Sequence, residues 1–401
     1  MSKLGVWVVG ARGSVATTTI VGARAIARDL MNTTGMVTEH SPCDRLELTA
    51  VDDFVFGGHD IRKTSLKTQA WQLADSGIGS ASIVDAISDD LARIDERITI
   101  GTAKNCGRTV TELADERLED GLSVRAVVDQ LRDDYQSFKA THDLDRMVVV
   151  NLASAEPPME MPDRYESKTA IERAIDADDA DLPASVLYAY AALVDGQPYV
   201  NLTPSNGSTL GGLDALARET SVPHAGNNIK IGETLVEAAL GPMFDKRNLH
   251  VRSWEGHNIL GDDGAVLEDD SKTAVKQEPK GSVLQSILDY SFHDSVRTDY
   301  APSMESWKTA WNDIHFEGFL NTEMKMKFTW EGADSALAAP LVLDLVRLVD
   351  HADRHGESGR QLQLASFFTS PMGVSEHGFS RQFDLLRAYV GRHAREQETV
   401  R

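Results

Sequence analysis

Three lysines near the middle of the chain stand out because the protein around them is strongly acidic. Lys276 and Lys280 are four residues apart, just before the helical-looking segment GSVLQSILDY, and Lys308 follows in MESWKTAWNDIHFEGF. Like charges at helical spacing repel each other, so an anion held between them would explain the arrangement. A phosphate or the oxyanion of an enolate suits such a site. The alternative is a basic patch that balances the nearby acids of LEDDS.

The stretch from Leu4 to Ile20, LGVWVVGARGSVATTTI, predicts a strand, a glycine turn and a helix. Glycines at such a turn let the backbone approach a nucleotide pyrophosphate, and the amides of the following helix attract the negative charge. The match to G-x-G-x-x-G/A is imperfect, because Arg12 and Ala16 stand around Gly13 after Gly10. By itself the motif is equally typical of a buried strand with a tight turn.

An acid at the end of the second strand of a dinucleotide-binding fold holds the adenine ribose. The segment Leu46–Phe56 is predicted to be that strand, with Asp52 and Asp53 at its end and Asp60 shortly after. The distance from Gly10 exceeds the usual spacing of about 20 residues, which requires an insertion before the strand. All three aspartates are candidates, and a solvated turn is an equal alternative for each.

Two further predicted strands end in loops suited to a ligand. Met147–Leu152 is a continuous apolar run that leads through Asn151 into ASAEPP, and Pro198–Leu202 leads into TPSNGSTLGG. Ligands bind at the carboxyl ends of strands in open α/β sheets, although a surface turn fits the second loop equally.

The remaining periodicity completes an α/β pattern. Helices are predicted over Ser82–Ile98 and Val110–Ala140 and from Ile229 to Leu240, and strands over Val251–Leu260 and Asn321–Trp330. Asp334 is predicted to cap an apolar helix that Gly356 ends, and Pro340 to kink or divide it.

Several other chemistries have no support in the sequence. His351 and His355 are spaced as in a zinc helix, but the glutamate of HExxH is missing, so a solvated helix face is expected and no metal site. There is no nucleophile elbow, Walker loop or CxxC. Cys43 and Cys106 are expected to be reduced thiols.

Length and charge set the broad class. With 401 residues, two domains are expected, and no apolar run approaches the roughly 20 residues that span a bilayer. The net charge of -22 is spread along the chain, which argues against nucleic acid and anionic membranes as partners and resembles proteins adapted to high salt. We expect no signal peptide and a cytoplasmic location.

Ten segments in register resemble the inositol-3-phosphate synthase family, from Leu4 to beyond Gly373. They are VWVVGARGSVATTT, DDFVFGGHDI, VVVNLASAEPP, YVNLTPSNG, AGNNIKIGETL, NILGDDGAVL, K-x-x-x-K-GSVL, WKTAWNDIHFEGFL, ADSALAAPLVLDLVRL and FFTSPMG. The resemblance implies an α/β fold in which a Rossmann-type dinucleotide-binding domain (1–234 plus 338–401) carries an inserted α/β catalytic and tetramerisation domain (235–337).

The resemblance also implies the reaction. It is the NAD-dependent cyclisation of D-glucose 6-phosphate to 1D-myo-inositol 3-phosphate, by oxidation at C5, enolisation, intramolecular aldol addition and re-reduction. NAD is the expected cofactor, a monovalent or divalent cation is possible, and a homotetramer that serves inositol and phospholipid biosynthesis is expected.

Site residues carry over by position. The resemblance implies catalytic roles for Lys276, Lys280, Lys308, Asp334 and Asp263. It implies NAD binding by Gly10, Arg12, Gly13, Ser14, Val15, Asp60, Asn151, Ala153 and Thr203, and substrate phosphate binding by Gly232, Thr234 and Asn228.

Five positions depart from the family pattern. Asn228 replaces an aspartate, Ile231 and Glu233 replace hydrogen-bonding residues beside the phosphate, Ser306 replaces an aspartate unless Glu305 substitutes for it, and Arg381 replaces a lysine. A carboxylate at position 233 would repel a phosphate unless a cation intervenes. Two alternatives therefore stay open: a net dehydrogenase of another phosphorylated sugar, and a non-catalytic NAD-binding regulator.

Overall fold

The computed structural model describes residues 3–118, 121–157, 163–261 and 283–400. Its first sheet has seven parallel strands in the order β11-β6-β5-β4-β1-β2-β3. The strands are β1 Leu4–Val9, β2 Phe54–Asp60, β3 Ile98–Ile100, β4 Arg146–Asn151, β5 Tyr199–Asn201, β6 Pro223–Ala225 and β11 Gly359–Arg360.

A second sheet has four strands in the order β10-β9-β7-β8. The middle strand β7 is parallel to β8 and antiparallel to β9, which pairs in turn with β10. The strands are β7 His250–Leu260, β8 His293–Tyr300, β9 Lys308–Glu317 and β10 Glu323–Gly332.

Thirteen helices of the described ranges surround the sheets, besides short 3-10 turns. They are α1 Ser14–Ala27, α2 Leu66–Asp75, α3 Ala81–Ala86, α4 Ser88–Asp95, α5 Gly107–Glu112, α6 Val124–His142, α7 Lys168–Asp176, α8 Ala184–Val194, α9 Gly211–Glu219, α10 Gly232–Lys246, α11 Val283–Leu288, α12 Asp334–Arg354 and α13 Phe379–Val400.

Helices cover both faces of the seven-stranded sheet. Alternation along β1 sends Leu4, Val6 and Val8 into a core shared with α1, α2, α4, α12 and α13, and Trp7 and Val9 into a core shared with α6 to α9. A smaller core under the four-stranded sheet packs Phe244 of α10 against Trp254 and Ile314. The predicted α/β class with a Rossmann-type sheet is confirmed.

Three predicted elements differ from the structure. The second strand runs over Phe54–Asp60 and not Leu46–Phe56, because the expected insertion extends to a 3-10 turn that holds Asp52 and Asp53. The helix predicted over Ser82–Ile98 is two helices followed by β3, and Val110–Ala140 is interrupted between α5 and α6. In these two segments, the polar and apolar residues of loops and of an edge strand are spaced as they would be in a helix.

The helix α12 also corrects three expectations. Pro340 does not divide it, because burial of its apolar side from Ala338 to Ala352 outweighs the lost hydrogen bond. Ala333 is the capping residue, and Asp334 lies in the first turn without capping it. His351 is fully buried rather than solvated, with Nδ1 against the Tyr389 hydroxyl at 2.7 Å.

In the described part of the chain, no helix has both the length and the hydrophobicity that are needed to span a bilayer.

Candidate active site

The glycine turn after β1 is held against the chain that follows β4. Gly10 has a φ of +79°, and a Cβ there would lie 2.7 Å from the Cα of Ala153. A side chain would therefore push the two strand ends apart, so this close approach requires glycine. Gly10 and Ala11 also donate their N–H groups to the carbonyl of His59 at the end of β2.

The helix α1 begins directly behind this turn. Gly13 is its capping residue and supplies no side-chain hydrogen bond, and no acid stands in the first turn. The first-turn N–H groups of Ser14 and Val15 thus face the turn at the positive end of the helix dipole. This is the geometry in which helices bind phosphate groups.

Asp60 ties the glycine turn to the loop after β2. Its Oδ2 accepts the N–H of Arg12 at 2.6 Å and its Oδ1 accepts the N–H of Arg62 at 2.8 Å, and the residue is 6% exposed. Each carboxylate oxygen can accept a second hydrogen bond. The carboxylate is therefore fixed by the protein before any ribose hydroxyl reaches it.

Two arginines flank the turn in different ways. Arg12 points away, with Nε 3.1 Å from Asp95 and a bond to the carbonyl of Arg62. The guanidinium of Arg62 lies over the turn, 3.6 Å from the position of a Cβ on Gly13. Of the two positive charges, that of Arg62 is the one placed to meet a phosphate at the helix start.

A cleft of about 440 Å³ opens at this edge of the seven-stranded sheet, and we call it the edge cleft. Every predicted cofactor residue except Arg12 lines it, together with Asn228, Ile231 and Asp334 from the predicted substrate region. The predicted cofactor residues on its wall are Gly10, Gly13, Ser14, Val15, Asp60, Asn151, Ala153 and Thr203. Their glycine turn and helix start fit a dinucleotide pyrophosphate.

Buried amides shape the floor of the edge cleft. Asn151 donates to Oδ1 of Asn201 at 3.2 Å, and the Thr203 hydroxyl donates to the same oxygen at 2.8 Å. Asn228, at a φ of +60°, donates its N–H to the carbonyl of Thr203. The ends of β4 and β5 are thereby locked together beside the glycine turn.

A buried carboxyl group completes the cleft. Glu156 accepts the N–H of Ser185 at 2.7 Å and the hydroxyl of the same residue at 2.5 Å, at the start of α8. Burial raises the pKa of Glu156 above the ordinary glutamate value. The positive end of the α8 dipole favours the negatively charged form of this carboxyl group and so opposes the effect of burial.

The start of α10 lies where the family resemblance puts the substrate phosphate. Gly232 has a φ of +57°, and a Cβ there would lie 3.1 Å from the Trp330 ring and 3.7 Å from Nζ of Lys308. The Thr234 hydroxyl donates to the carbonyl of Ile231 and accepts from Thr369. The structure thus brings Gly232, Thr234 and Lys308 together.

Lys308 and Asp334 pair across the junction of the two sheets. Nζ of Lys308, the first residue of β9, is 3.7 Å from Oδ2 of Asp334. Lys308 belongs to the four-stranded sheet, whereas Asp334 lines the edge cleft. The edge cleft and the four-stranded sheet therefore meet at this ion pair.

One face of the four-stranded sheet carries buried polar atoms that have no hydrogen-bond partner among the described residues. Cross-strand pairing puts Asn258 beside Ala310, Ala310 beside Trp330, and Leu260 beside Lys308, so these side chains share a face. We call it the polar face. Within the described part of the chain, no hydrogen-bond partner is found for Asn258 Oδ1, Asn312 Nδ2, Trp330 Nε1, Asp334 Oδ1, Ser335 Oγ and Glu233 Oε1.

Such a concentration is informative because buried polar groups are almost always satisfied. The unsatisfied atoms include two N–H donors, several carbonyl or carboxylate acceptors and a hydroxyl. A ligand rich in hydroxyl groups supplies both acceptors and donors, as a sugar does. The polar face therefore carries both donors and acceptors that a hydroxyl-rich ligand could use.

Glu233 does not point at the start of α10. Its Oε2 accepts the amide of Asn258 at 2.6 Å, and its Oε1 occupies the space that a side chain on Gly256 would fill, 2.4 Å from that Cβ position. The carboxylate is thus turned toward β7. This orientation reduces the phosphate repulsion expected from the sequence.

Other predicted residues are placed less centrally or are not placed. Asp263, Lys276 and Lys280 lie outside the described residues. Arg381 is 64% exposed and pairs with Glu376, away from the polar face. Ser306 lies in the turn before β9, beside Glu305 with its φ of +51°.

Sequence reasoning missed several groups. Asn201 ends β5 as Asn151 ends β4, and that repeated strand-end asparagine was a usable signal. No local signal marks Trp330, Asn258 or Asn312, because cross-strand register brings them together. Lys230 is 2% exposed, bonded to Gln382, and burial lowers its pKa to about 8.

The ring of His351, which is buried in α12, stacks on the ring of His355, which is exposed just after the end of the helix. The rings of His351 and His355 are 4.1 Å apart and nearly parallel, and His393 meets both from α13. Burial lowers the pKa of His351 to about 3. Across the described ranges, no group of three His, Cys, Asp or Glu residues is placed to hold a metal ion.

The chain is similar over nearly its whole length to proteins of one family. The family model described as myo-inositol-1-phosphate synthase matches residues 4–390. Inositol-3-phosphate synthase 1 of Bacteroides thetaiotaomicron is 33% identical over 401 residues, which cover 94% of this chain and 91% of the relative.

Two solved structures share the fold. The inositol-3-phosphate synthase of Caenorhabditis elegans has a TM-score of 0.82 at 20% identity, covering 98% of this chain and 86% of the other. A myo-inositol-1-phosphate synthase-related protein of Thermotoga maritima has a TM-score of 0.79 at 22% identity, covering 97% and 98%. With the sequence match over nearly its whole length, this chain belongs to the myo-inositol-1-phosphate synthase family.

Proposed function

We propose that this protein converts D-glucose 6-phosphate to 1D-myo-inositol 3-phosphate with NAD as a cofactor that is regenerated in each turnover. Family membership over residues 4–390 and 33% identity to a curated inositol-3-phosphate synthase support the assignment. The observation that carries it is the Lys308–Asp334 pair, because it joins a dinucleotide-type cleft to a face with unsatisfied sugar-type partners.

The residues of the edge cleft would hold NAD. The glycine turn and the start of α1 would take the pyrophosphate, Asp60 would meet the adenine ribose, and Asn151, Ala153 and Thr203 would line the nicotinamide half. Bound NAD supplies the oxidation at C5 and the later reduction of the same carbon.

The start of α10 would hold the substrate phosphate. Its first N–H groups, at Gly232 and the next two residues, carry the positive end of the helix dipole, and the Thr234 hydroxyl stands beside them. Because Gly232 has no side chain, a phosphate can approach the Trp330 ring and Lys308 closely. Asn228 would contribute from the edge cleft.

Lys308 would stabilise the negative charge that develops on oxygen during enolisation and ring closure. An ammonium group fixed beforehand acts on such charge without reorganisation. Asp334 orients that ammonium group from 3.7 Å. By resemblance, Lys276, Lys280 and Asp263 would complete the catalytic set.

The domain boundaries remain part of the proposal. The NAD-binding domain would comprise residues 1–234 and 338–401, and residues 235–337 would form the catalytic and tetramerisation domain. A bound cation, a homotetramer, a cytoplasmic location, salt adaptation and a role in phospholipid biosynthesis belong to the same proposal, supported by the resemblance and by the net charge of -22.

The test is incubation with glucose 6-phosphate and catalytic NAD in high salt, followed by phosphorus NMR of the product and absorbance of NADH. Inositol phosphate without net NADH is the expected result. Reduction of all the added NAD to NADH without inositol phosphate would identify the alternative dehydrogenase. NAD binding without any reaction would identify the regulator.

A further inference from the structure

Trp307 connects the two halves of the molecule at a point next to the active-site lysine. It immediately precedes Lys308 at the start of β9, and its indole N–H donates to the carbonyl of Ser76 at 2.6 Å. Ser76 lies just past the end of α2, 231 residues away in sequence. The Trp307 side chain is large and the residue is 40% exposed, so its placement calls for a reason beyond core packing.

The far end of this contact is fixed to the edge cleft. Helix α2 buries Leu66, Ala70 and Leu73 in the core beside α1. From the same helix, Gln69 donates its side-chain N–H to the carbonyl of Arg12 in the glycine turn at 3.0 Å. The Ser76 carbonyl therefore belongs to the same rigid unit as the glycine turn.

The near end is fixed to the four-stranded sheet. Residues 301–307 form a tight turn in which Ala301 donates to the carbonyl of Leu260 and Trp307 donates to that of Met304. Gly261 packs so closely on this turn that a Cβ there would lie 2.1 Å from the carbonyl oxygen of Glu305. A displacement of Trp307 would therefore also displace Lys308, the next residue in the chain.

We propose that Trp307 is a positioning residue that sets the location of Lys308 relative to the cofactor-binding turn. The inference rests on the proposed function. The hydrogen bond of the indole N–H would keep Lys308 and Asp334 at a fixed distance from the edge cleft between the two redox steps. Misplacement of reacting groups by 1 Å costs on the order of 100-fold in rate, so a single contact at this joint has a measurable effect.

The experiment compares wild-type protein with Trp307→Phe, which removes the N–H group, and Trp307→His, which restores a ring N–H. We measure kcat, KM for glucose 6-phosphate, the dissociation constant of NADH by fluorescence, and the NADH released per inositol phosphate formed. Trp311→Phe is the matched control, because Trp311 is 43% exposed and lies on the face of β9 opposite to Lys308.

We expect Trp307→Phe to lower kcat about tenfold and to raise the released NADH severalfold, because a misplaced Lys308 leaves the oxidised sugar time to dissociate. NADH binding should change less than twofold, and Trp307→His should recover part of the rate. A loss of folding would lower all signals together without changing the ratio of NADH to product. An unchanged ratio and kcat in Trp307→Phe, or the same change in Trp311→Phe, overturns the inference, and a wild type that makes no inositol phosphate overturns the proposed function instead.

Discussion

The edge cleft and the polar face differ in how far the protein satisfies its own polar groups. In the edge cleft, Asp60, Asn151 and Thr203 are all bonded to neighbouring protein atoms. On the polar face, Asn258, Asn312 and Trp330 each keep an atom without a partner in the described part of the chain. Under the proposed function, the first region would bind the cofactor with side chains that are already in place, whereas the second would form its remaining hydrogen bonds with the substrate.

Of the substitutions predicted here, removal of Lys308 should have the largest effect on activity. Lys308→Ala should lower kcat about 1000-fold, since loss of one preorganised stabilising group costs on the order of 10²–10³ in rate. NADH affinity should stay within twofold, because the edge cleft is complete without the lysine. Steady-state kinetics and a fluorescence titration of NADH measure the two effects.

Lys327→Ala is the control for this lysine. Lys327 pairs with Asp313 on the opposite face of the same sheet and is 66% exposed. Its loss should leave kcat unchanged. Equal losses in both variants would mean that Lys308 supports the sheet rather than the chemistry.

Trp330 tests whether the unsatisfied atoms of the polar face serve the substrate. Trp330→Phe should raise KM for glucose 6-phosphate about tenfold, since a hydrogen bond to a charged group contributes about 1.5–3 kcal/mol. Thermal stability should hardly change, because that N–H has no partner in the described protein. A large fall in melting temperature with no change in KM would contradict the assignment.

Substitution of Arg62 tests cofactor binding in the edge cleft, whereas substitution of Trp330 tests substrate binding. Arg62→Gln should weaken NADH binding about fivefold and reduce its salt dependence, because a charge beside a phosphate is lost. Lys63→Gln removes the same charge from the next residue, whose ammonium pairs with Glu116 at the surface. If both variants bind NADH alike, Arg62 has no phosphate contact.

The smallest predicted effect is a decrease in the free energy of unfolding at acidic pH, caused by a buried histidine in the core of the seven-stranded sheet. The folded pKa of His351, about 3, lies below the unfolded value of 6.5, so the unfolded chain binds the proton first and stability falls as pH drops below 6.5. Between pH 7 and pH 5.5 the loss should be about 1 kcal/mol. His351→Gln should remove this dependence in urea titrations, and substitution of the exposed His250 should not.

The sequence predicted the edge cleft better than the polar face for a physical reason. Gly10, Asp60 and Asn151 each stand at the end of a parallel strand, so local pattern and topology together place them at one edge. Asn312 and Trp330 depend on the antiparallel register of β9 with its two neighbouring strands, which no local pattern fixes. The second strand was misplaced because its insertion contains apolar residues such as Leu46 and Leu48.

The family resemblance supplied Lys308 and Asp334 as separate residues, but their pairing needed the structure. The direction of Glu233 is a similar case. A carboxylate in the first turn of α10 looks hostile to phosphate in sequence, yet the missing side chain of Gly256 gives it room to turn away. Substitutions at a site are thus interpretable only together with the residue that faces them.

One residue, Ala333, separates the end of β10 from the start of α12. Insertion of a single residue there would rotate every later side chain by about 100° around the helix axis. Asp334 would then leave Lys308, and the apolar stripe from Val342 to Val349 would leave the core of the seven-stranded sheet. A change in chain length at this joint would therefore disturb both the proposed catalytic pair and the core, whereas the hairpin at Phe319 and Leu320 is exposed and lies outside both.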